Sequence, residues 1–435
     1  MRIALLHYHQ HPSGVNQIIA LQEQVLTALG HEVIIPHLPE LDYSEKSLLS
    51  GTELLKKIEA AHPQIQLWII HNPTLGKNAT YPDFIKQLAE TGTPLVLQCH
   101  DFAEDGRPTN YERISNIDHL YPLATHIHYA TINSRDAQIL EKAGIPKSQI
   151  HFLPNAVTRE PIPFSNPDAP FVLYPVRGIR RKNIGEFCLW AKHATANTRF
   201  AIASRPENAE WIATFEEWQH FAAQENLPID FAVVTDEYPF EFWLKKSTHL
   251  ATTSIAEGFG LTFIEPHFLG RPLIGRDLPE ITRDFTAEGL PLDHLYSEIS
   301  VPLSALNLTE LEKDFRHQIT STFSSYQQSL DVDTAWANFI QNDTVDFGNL
   351  PESHQQSLIQ NHHFPALKTW LAESLSQNSA PPPNTQPWSI ESYQNRIEKL
   401  IQQANESPVS PLIFLNKERL LTQFLAPNRF HFLRT

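Results

Sequence analysis

Two carboxylates and two glycines are closely spaced in residues 254–265, Ser-Ile-Ala-Glu-Gly-Phe-Gly-Leu-Thr-Phe-Ile-Glu. Gly258 and Gly260 follow a predicted buried strand and precede a predicted helix, where free N–H groups can bind an anion. Glycine also lets the backbone approach a ligand closely. Glu257 and Glu265 are suited to accept hydrogen bonds from the hydroxyl groups of a sugar or ribose. The spacing alone equally allows a helix start with a solvated glutamate.

Four cations lie within six residues directly after another predicted strand. They are Arg177, Arg180, Arg181 and Lys182, in a chain that is acidic overall. Arginine offers a planar fork and lysine a point charge, which together suit a diphosphate leaving group. Since four cations cannot all converge, we expect Arg177 and Lys182 to face the ligand and the other two to lie on a solvated rim. A basic surface loop is the alternative interpretation.

Histidines follow a predicted strand near the start of the chain. His7, His9 and His11 precede Gly14, where the strand turns into a helix and creates a second possible anion site. Neither a carboxylate nor a cysteine is adjacent to them, so this spacing predicts histidines that line a cleft and no metal site.

A second polar group lies at the ends of two further predicted strands. His100 is placed to reach a sugar hydroxyl, and Asp101 could orient it or act as a base. His71 and Asn72 follow a neighbouring strand, and together with Asp101 they are candidates for the acceptor side. A structural histidine and a plain surface turn are the alternatives.

The order of apolar runs predicts the fold. Short buried strands alternate with amphipathic helices such as 15–29 and 81–90, a pattern typical of a doubly wound parallel sheet. The predicted strands are 2–8, 32–35, 67–70, 95–99 and 126–131, then 171–175, 198–203, 231–235, 249–254 and 272–275. We therefore predict an α/β protein with two tandem Rossmann-like domains that face a central cleft. The predicted segments are residues 1–157, a linker at 158–170, residues 171–340, and a helical, low-complexity extension at 341–435.

The composition of the chain disfavours several classes of function. The chain has 435 residues, a net charge of -16 and two cysteines. The acidic balance disfavours a nucleic-acid partner, and two cysteines imply no disulfide framework. With no leader sequence and no apolar run long enough to span a membrane, we expect a cytoplasmic protein.

Residues 254–265, followed by Gly-Arg-Pro at 270–272, resemble the E-x7-E signature of glycosyltransferase family 4. This family has the GT-B fold and retains the anomeric configuration of the transferred sugar. Further matches occur in the family's order along residues 1–285: Gly14-Val15, Gly-His-Glu-Val at 30–33, Ser134, Pro-Asn-Ala-Val at 154–157, Arg177, Lys182 and Pro-Glu-Ile at 279–281.

The resemblance implies an enzyme that moves a hexose from a nucleotide-diphosphate sugar to a hydroxylated acceptor, without a metal ion or another cofactor. It implies that Glu265 holds the ribose and that Glu257 faces the donor sugar. The family pattern places His100 beside that sugar and Arg177 and Lys182 on the diphosphate. Backbone contacts to the donor would come from Gly14, Gly258, Phe259, Gly260 and Leu261.

The chain departs from the family in its first turn, which lacks paired glycines, at Ala156, which replaces glycine, and at Pro266 inside the predicted helix. Other hypotheses remain. One is a GT-B epimerase or a phosphorylase, with Lys245 or Lys246 as the candidate for a pyridoxal phosphate Schiff base. Another is a non-catalytic nucleotide-sugar-binding scaffold.

Overall fold

The structure, a computed structural model, describes residues 1–11, 13–42, 49–159, 162, 169–377 and 384–434. Its contacts divide the chain into two compact units. The first consists of residues 1–156, 322–328 and 386–429, and the second of residues 157–321, 329–385 and 430–435. Most of the predicted linker at 158–170 lies outside the described residues.

A parallel six-stranded sheet forms the centre of the first unit, with the strand order β2-β1-β3-β4-β6-β7. The strands in this part of the chain are β1 (Arg2–Leu6), β2 (Glu32–Ile34), β3 (Leu67–His71), β4 (Leu95–Cys99), β5 (Pro122–Leu123), β6 (Ile127–Thr131) and β7 (Ile150–Phe152). The helices between them are α1 (Gly14–Ala28), α2 (Gly51–Ala61), α3 (Tyr81–Glu90), α4 (Pro108–Ile114) and α5 (Ser134–Ala143).

Alternate side chains of these strands pack on opposite faces of the sheet. Leu5 and Ile69 join a core that includes apolar residues of α1. Leu6 and Ile70 join a second core, which includes residues of α2, α3 and α5. Because both faces are covered by helices, the strands are buried on both sides. The predicted doubly wound architecture is therefore confirmed.

The second unit contains a parallel five-stranded sheet with the order β10-β9-β8-β11-β12. The strands in this part of the chain are β8 (Phe171–Arg177), β9 (Arg199–Ser204), β10 (Ile229–Phe231), β11 (His249–Thr252), β12 (Leu273–Gly275), β13 (Ser300–Pro302) and β14 (Thr344–Asp346). The helices are α6 (Ile184–His193), α7 (Ala209–Gln224), α8 (Phe240–Lys246), α9 (Leu261–Phe268), α10 (Pro279–Thr286), α11 (Leu308–Ser325), α12 (Val332–Phe339), α13 (Glu352–Asn361) and α14 (Pro365–Leu375). This strand order is that of a Rossmann fold.

The strand predicted at 231–235 occurs earlier, at Ile229–Phe231. Ala232 has a φ of 53°, which interrupts the extended backbone directly after the strand. The next residues still follow β9, since the N–H of Val233 donates to Ile202 O and that of Val234 to Ala203 O. Apolar composition alone could not reveal this break.

The predicted extension at 341–435 does not form a body of its own. Its last elements are α15 (Ile390–Glu406), β15 (Ile413–Phe414) and α16 (Lys417–Phe424), and all three belong to the first unit. Apolar residues of α15 pack into the core beside α1, and Gln22 Nε2 donates to Tyr393 Oη at 2.8 Å. Strand β15 pairs antiparallel with β5. These contacts join distant parts of the chain, which is why the sequence pattern suggested an appendage.

Candidate active site

The strand order of the second sheet reverses between β8 and β11, so a crevice lies outside the carboxyl ends of these two strands. The loops that follow them are residues 178–183 and 253–260, the two segments that the sequence singled out. The N–H of Ile255 donates to Arg181 O at 3.0 Å, which joins the two loops directly.

Further hydrogen bonds fix the backbone of Lys182. Its carbonyl oxygen accepts from Thr253 Oγ1 and from Tyr174 Oη, each at 3.0 Å. Tyr174 Oη also contacts Ser254 Oγ at 2.8 Å. Because Tyr174 is fully buried, this network holds the lysine rigidly at the sheet edge.

The side chain of Lys182 forms an ion pair with Glu257. Their side chains are only 11% and 10% exposed. Burial by itself would raise the pKa of Glu257, but the charges of Lys182 and Arg181 hold that pKa below its ordinary value. Burial lowers the pKa of Lys182, and the negative charge of Glu257 opposes this change. The pair therefore places a cation and a carboxylate together at the crevice.

The remaining cations of this segment lie in three different environments. Arg181 lies 3.6 Å from Glu257 Oε2 and donates to Ala256 O at 3.0 Å. Its side chain is 34% exposed, so it keeps a partly solvated position while it also contacts the carboxylate. Arg180 forms a two-pronged pair with Glu352. Arg177 is exposed and pairs with the exposed Glu207. The structure thus brings Lys182 and Arg181 to Glu257, and not Arg177.

Gly260 forms the turn that leads into α9. Its φ is +87°, and a Cβ added there would lie 2.8 Å from Ile281 Cγ2 and 2.9 Å from Phe263 Cδ2. Only glycine fits this position without strain. Gly258 lies two residues earlier in the same loop, and Phe259 is buried against Phe285.

The first turns of α9 carry two predicted donor-site residues. Leu261, the first residue of the helix, is 40% exposed. Glu265 pairs with Arg159 across 3.2 Å. Burial raises the pKa of Glu265, and the charge of Arg159 counteracts part of that increase. Pro266 is accommodated inside this helix. Sequence reasoning missed Arg159, which it had assigned to a linker.

The first sheet reverses its order between β1 and β3, and histidines lie where these strands end. His71 Nδ1 and His100 Nε2 are 2.9 Å apart. Asn72 Oδ1 accepts from the backbone N–H groups of His100 and Asp101, at 2.9 and 3.1 Å. Since His71 and Asn72 are 0% and 2% exposed, they hold His100 in place and do not present a surface to an acceptor.

The structure also shows the surroundings of Asp101 and Gly14, the other predicted site residues of the first unit. Asp101 pairs with Arg107, and its negative charge opposes the lowering of the pKa of His100 by burial. Gly14 begins α1, whose Ser13 side chain accepts from the N–H of Asn16. No described atom lies within 4 Å of a Cβ added at Gly14, so the chain itself leaves room there. Pro12, in the same turn, lies outside the described residues.

Three further observations concern a metal site, a membrane-spanning helix and the candidate Schiff-base lysines. No group of three or more His, Cys, Asp or Glu within the described ranges could hold a metal ion. No helix in that same portion of the chain is both long and apolar enough to cross a membrane. Lys246, a candidate for a Schiff base, lies in α8 over the rings of Trp243 and Phe171, at 5.1 and 5.6 Å from their centroids, and Lys245 precedes it.

Comparisons with known proteins agree with this architecture. No protein-family model matches the chain. A curated relative, the mannosylglucosyl-3-phosphoglycerate synthase of Petrotoga mobilis, is 26% identical over 406 residues, which cover 81% of this chain and 79% of the relative.

Two solved structures are similar in fold. A glycosyltransferase from Rickettsia africae has a TM-score of 0.53 at 12% identity, covering 93% of this chain and 99% of its own. Sucrose-phosphate synthase from Thermosynechococcus elongatus has a TM-score of 0.52 at 16% identity, covering 92% and 98%. With this fold and this relative, the protein is a glycosyltransferase enzyme with the GT-B fold.

Proposed function

We propose that the protein is a retaining hexosyltransferase of glycosyltransferase family 4, which uses a nucleotide-diphosphate sugar and a hydroxylated acceptor. The observation that carries the proposal is the convergence of Lys182 and Arg181 on Glu257 at the strand reversal, beside the turn into α9. Positive charge at one sheet edge, beside the start of a helix, suits a departing diphosphate.

In the proposed reaction, the bond between the anomeric carbon and the diphosphate oxygen breaks while the acceptor oxygen bonds to the same face. The acceptor proton passes to the departing phosphate oxygen. Lys182 stabilises the negative charge that develops on this leaving group, which is the main catalytic contribution. Arg177 can join it, because its pair with Glu207 is exposed and weak. These cations supply the charge, so the proposal includes no metal ion.

The remaining residues bind and orient the donor. Glu265 accepts from the ribose hydroxyls, for which its pair with Arg159 must open. Glu257 accepts from a hydroxyl of the donor sugar while it stays paired with Lys182. The backbone of residues 258–261, and of Gly14 in the first unit, contacts the sugar and phosphate. His100 hydrogen-bonds to the sugar.

Turnover of donors tests the proposal. Release of nucleoside diphosphate is measured for UDP-, GDP- and ADP-linked glucose and mannose, with sugars and glucosyl-3-phosphoglycerate as acceptors. The last acceptor is included because the Petrotoga relative is named for a mannosylglucosyl-3-phosphoglycerate product. We expect one donor to turn over, and Glu265→Ala and Lys182→Ala each to abolish turnover. Lys192→Ala is the matched control, since Lys192 is exposed and pairs with Glu225.

Product analysis separates the alternatives. Proton NMR of the new glycosidic bond should show the anomeric configuration of the donor, and EDTA should leave the rate unchanged. Inversion of that configuration, or dependence on a metal ion, would contradict the corresponding part of the proposal. Binding of a nucleotide sugar without turnover would favour the scaffold hypothesis. Conversion of the nucleotide sugar into its epimer without an acceptor would favour an epimerase, and cleavage of a glycosidic bond that requires inorganic phosphate would favour a phosphorylase.

A further inference from the structure

The buried contact between His71 and His100 carries an inference that deepens the proposed function and rests on it. We propose that His71 is a positioning residue, which donates its Nδ1–H to His100 Nε2. This hydrogen bond fixes the proton of His100 on Nδ1, where it can be donated to an oxygen of the donor sugar. His100 then binds the sugar as a donor and does not act as a base.

Both rings are neutral at pH 7. Burial lowers the pKa of His71 well below its ordinary value and lowers the pKa of His100 to about 4. The nitrogens in contact are 2.9 Å apart, and the ring planes differ by only 17°. One proton therefore lies between His71 Nδ1 and His100 Nε2, and it is bonded to one of the two.

The environment of His71 decides which nitrogen carries this proton. His71 Nε2 is buried and has no hydrogen-bond partner among the described residues. If the shared proton belonged to His100, the proton of His71 would be on this Nε2, as an unpaired N–H in the core. Such orphaned donors are rare in proteins, whereas acceptors with an unused lone pair are tolerated more often. The proton therefore belongs to His71 Nδ1.

His7 provides a parallel in the same cluster. Its Nδ1 lies 3.1 Å from His9 O, a carbonyl that can only accept, so His7 carries its proton on Nδ1. Its Nε2 is likewise buried and has no partner within the described ranges. Burial and the nearby His9 lower the pKa of His7 to about 3, which keeps this ring neutral as well. His7 and His71 thus share one pattern, with the proton on Nδ1 and a bare Nε2.

The surroundings of His100 leave its Nδ1 for a ligand. In the described part of the chain, no group hydrogen-bonds to this nitrogen. The backbone of His100 is fixed by Asn72, and its Nε2 is occupied by His71. A ring held at both points keeps one N–H in a fixed direction, which is the preorganisation that a sugar-binding donor needs.

The tautomer can be measured directly by ¹⁵N NMR of the full-length protein labelled at its histidine rings. The His100 signals are assigned as those missing from the His100→Gln variant. We expect protonated Nδ1 and bare Nε2 for His100 in the wild-type protein at pH 7. A proton on His100 Nε2 would overturn the inference, even in an active enzyme, and this measurement does not depend on whether any His71 variant folds.

Kinetics test the positioning role. His71→Asn keeps an amide N–H close to the position of Nδ1, whereas His71→Leu removes the donor. We expect His71→Leu to move the His100 proton to Nε2 and to lower kcat about tenfold at an unchanged donor KM, as for the loss of one well-oriented hydrogen bond. His71→Asn should stay within about threefold of wild type. The control is His126→Leu, because His126 is similarly buried but, within the described ranges, its ring hydrogen-bonds only to Ala89 O, through Nε2.

The two proposals fail in different ways. Full kcat in a folded His71→Leu protein would overturn the positioning role and leave the proposed function intact. Absence of transfer by the wild-type protein would overturn the proposed function, and the catalytic part of this inference with it.

Discussion

Lys182 and Glu257 form an ion pair that is almost removed from solvent, at the strand reversal of the second sheet. Each residue depends on the other, because burial disfavours both charges and the pairing restores them. Arg181 is a second cation beside the carboxylate, 3.6 Å from Glu257 Oε2.

This dependence predicts a change in pH profile for Glu257→Gln. Burial lowers the pKa of Lys182, and Glu257 opposes that lowering, so the variant should have a still lower lysine pKa. The ammonium is then lost at a lower pH than in the wild type. As the pH rises, binding of the nucleoside diphosphate, measured by calorimetry, should therefore begin to weaken at a lower pH in the variant than in the wild type. Glu216→Gln, at the exposed pair with Arg205, should leave the profile unchanged. The prediction would be contradicted if the affinity of Glu257→Gln and that of the wild type fell over the same alkaline pH range.

Arg177 should affect ligand binding and not stability. Its pair with Glu207 is exposed on both sides, and such pairs contribute less than about 1 kcal/mol. Arg177→Ala should therefore change the free energy of unfolding by less than about 0.5 kcal/mol. If Arg177 reaches the diphosphate, this variant should bind the nucleoside diphosphate about tenfold more weakly. Glu207→Gln is the control, with binding as tight as in the wild type. If Arg177→Ala binds the nucleoside diphosphate as tightly as the wild type, Arg177 is not part of the donor site.

Gly260 and Gly289 offer a matched pair for the turn into α9. Their φ angles are +87° and +89°, so alanine is similarly strained at both positions. At Gly260 the added Cβ also meets Ile281 and Phe263, whereas no described atom lies within 4 Å of it at Gly289. We expect Gly260→Ala to lower the free energy of unfolding by about 1–3 kcal/mol more than Gly289→Ala, the size of an overpacking penalty. Urea denaturation of both variants measures this difference, and equal losses would argue against the close packing.

Much of this site could be predicted from the sequence, because its main parts are local. A buried strand followed by Gly258 and Gly260 indicates a strand-to-helix turn without any knowledge of the fold. Parallel strands bring such turns to one sheet edge, so Glu257 and Lys182 could be expected to lie together. The strand order needed to place them at the reversal comes from tertiary pairing.

The remaining contacts depend on side-chain directions that spacing does not encode. Arg177 and Arg181 are four residues apart, yet only Arg181 lies against Glu257. Asn72 has a φ of 50°, and its amide supports the backbone of His100. The pairing of Glu265 with Arg159 joins residues 106 positions apart. No periodicity in the sequence signals any of these three arrangements.

Glu104, in the segment that follows β4, is a buried acid of the first unit. It is 0% exposed, and its Oε1 accepts a hydrogen bond from Tyr121 Oη at 2.8 Å. Within the described residues, its Oε2 has no hydrogen-bond partner. Burial raises the pKa of Glu104 to about 7; the hydrogen bond from Tyr121 opposes the increase, and the charges of Asp105 and Glu418 add to it.

The sign of the resulting pH dependence follows from this increase. The folded pKa of Glu104 lies above the unfolded value, so its stabilising contribution is complete below the unfolded pKa and is lost as the pH rises through about 7. Glu104→Gln stays neutral at every pH. The variant should therefore gain stability relative to wild type between pH 5 and pH 8, by an amount that approaches about 3 kcal/mol. Urea denaturation of both proteins at several pH values measures this difference, in which all other titrating groups cancel. Glu112→Gln, at an exposed position of α4, is the control for the substitution itself. A pH-independent difference for Glu104→Gln would mean that Glu104 titrates normally in the folded protein.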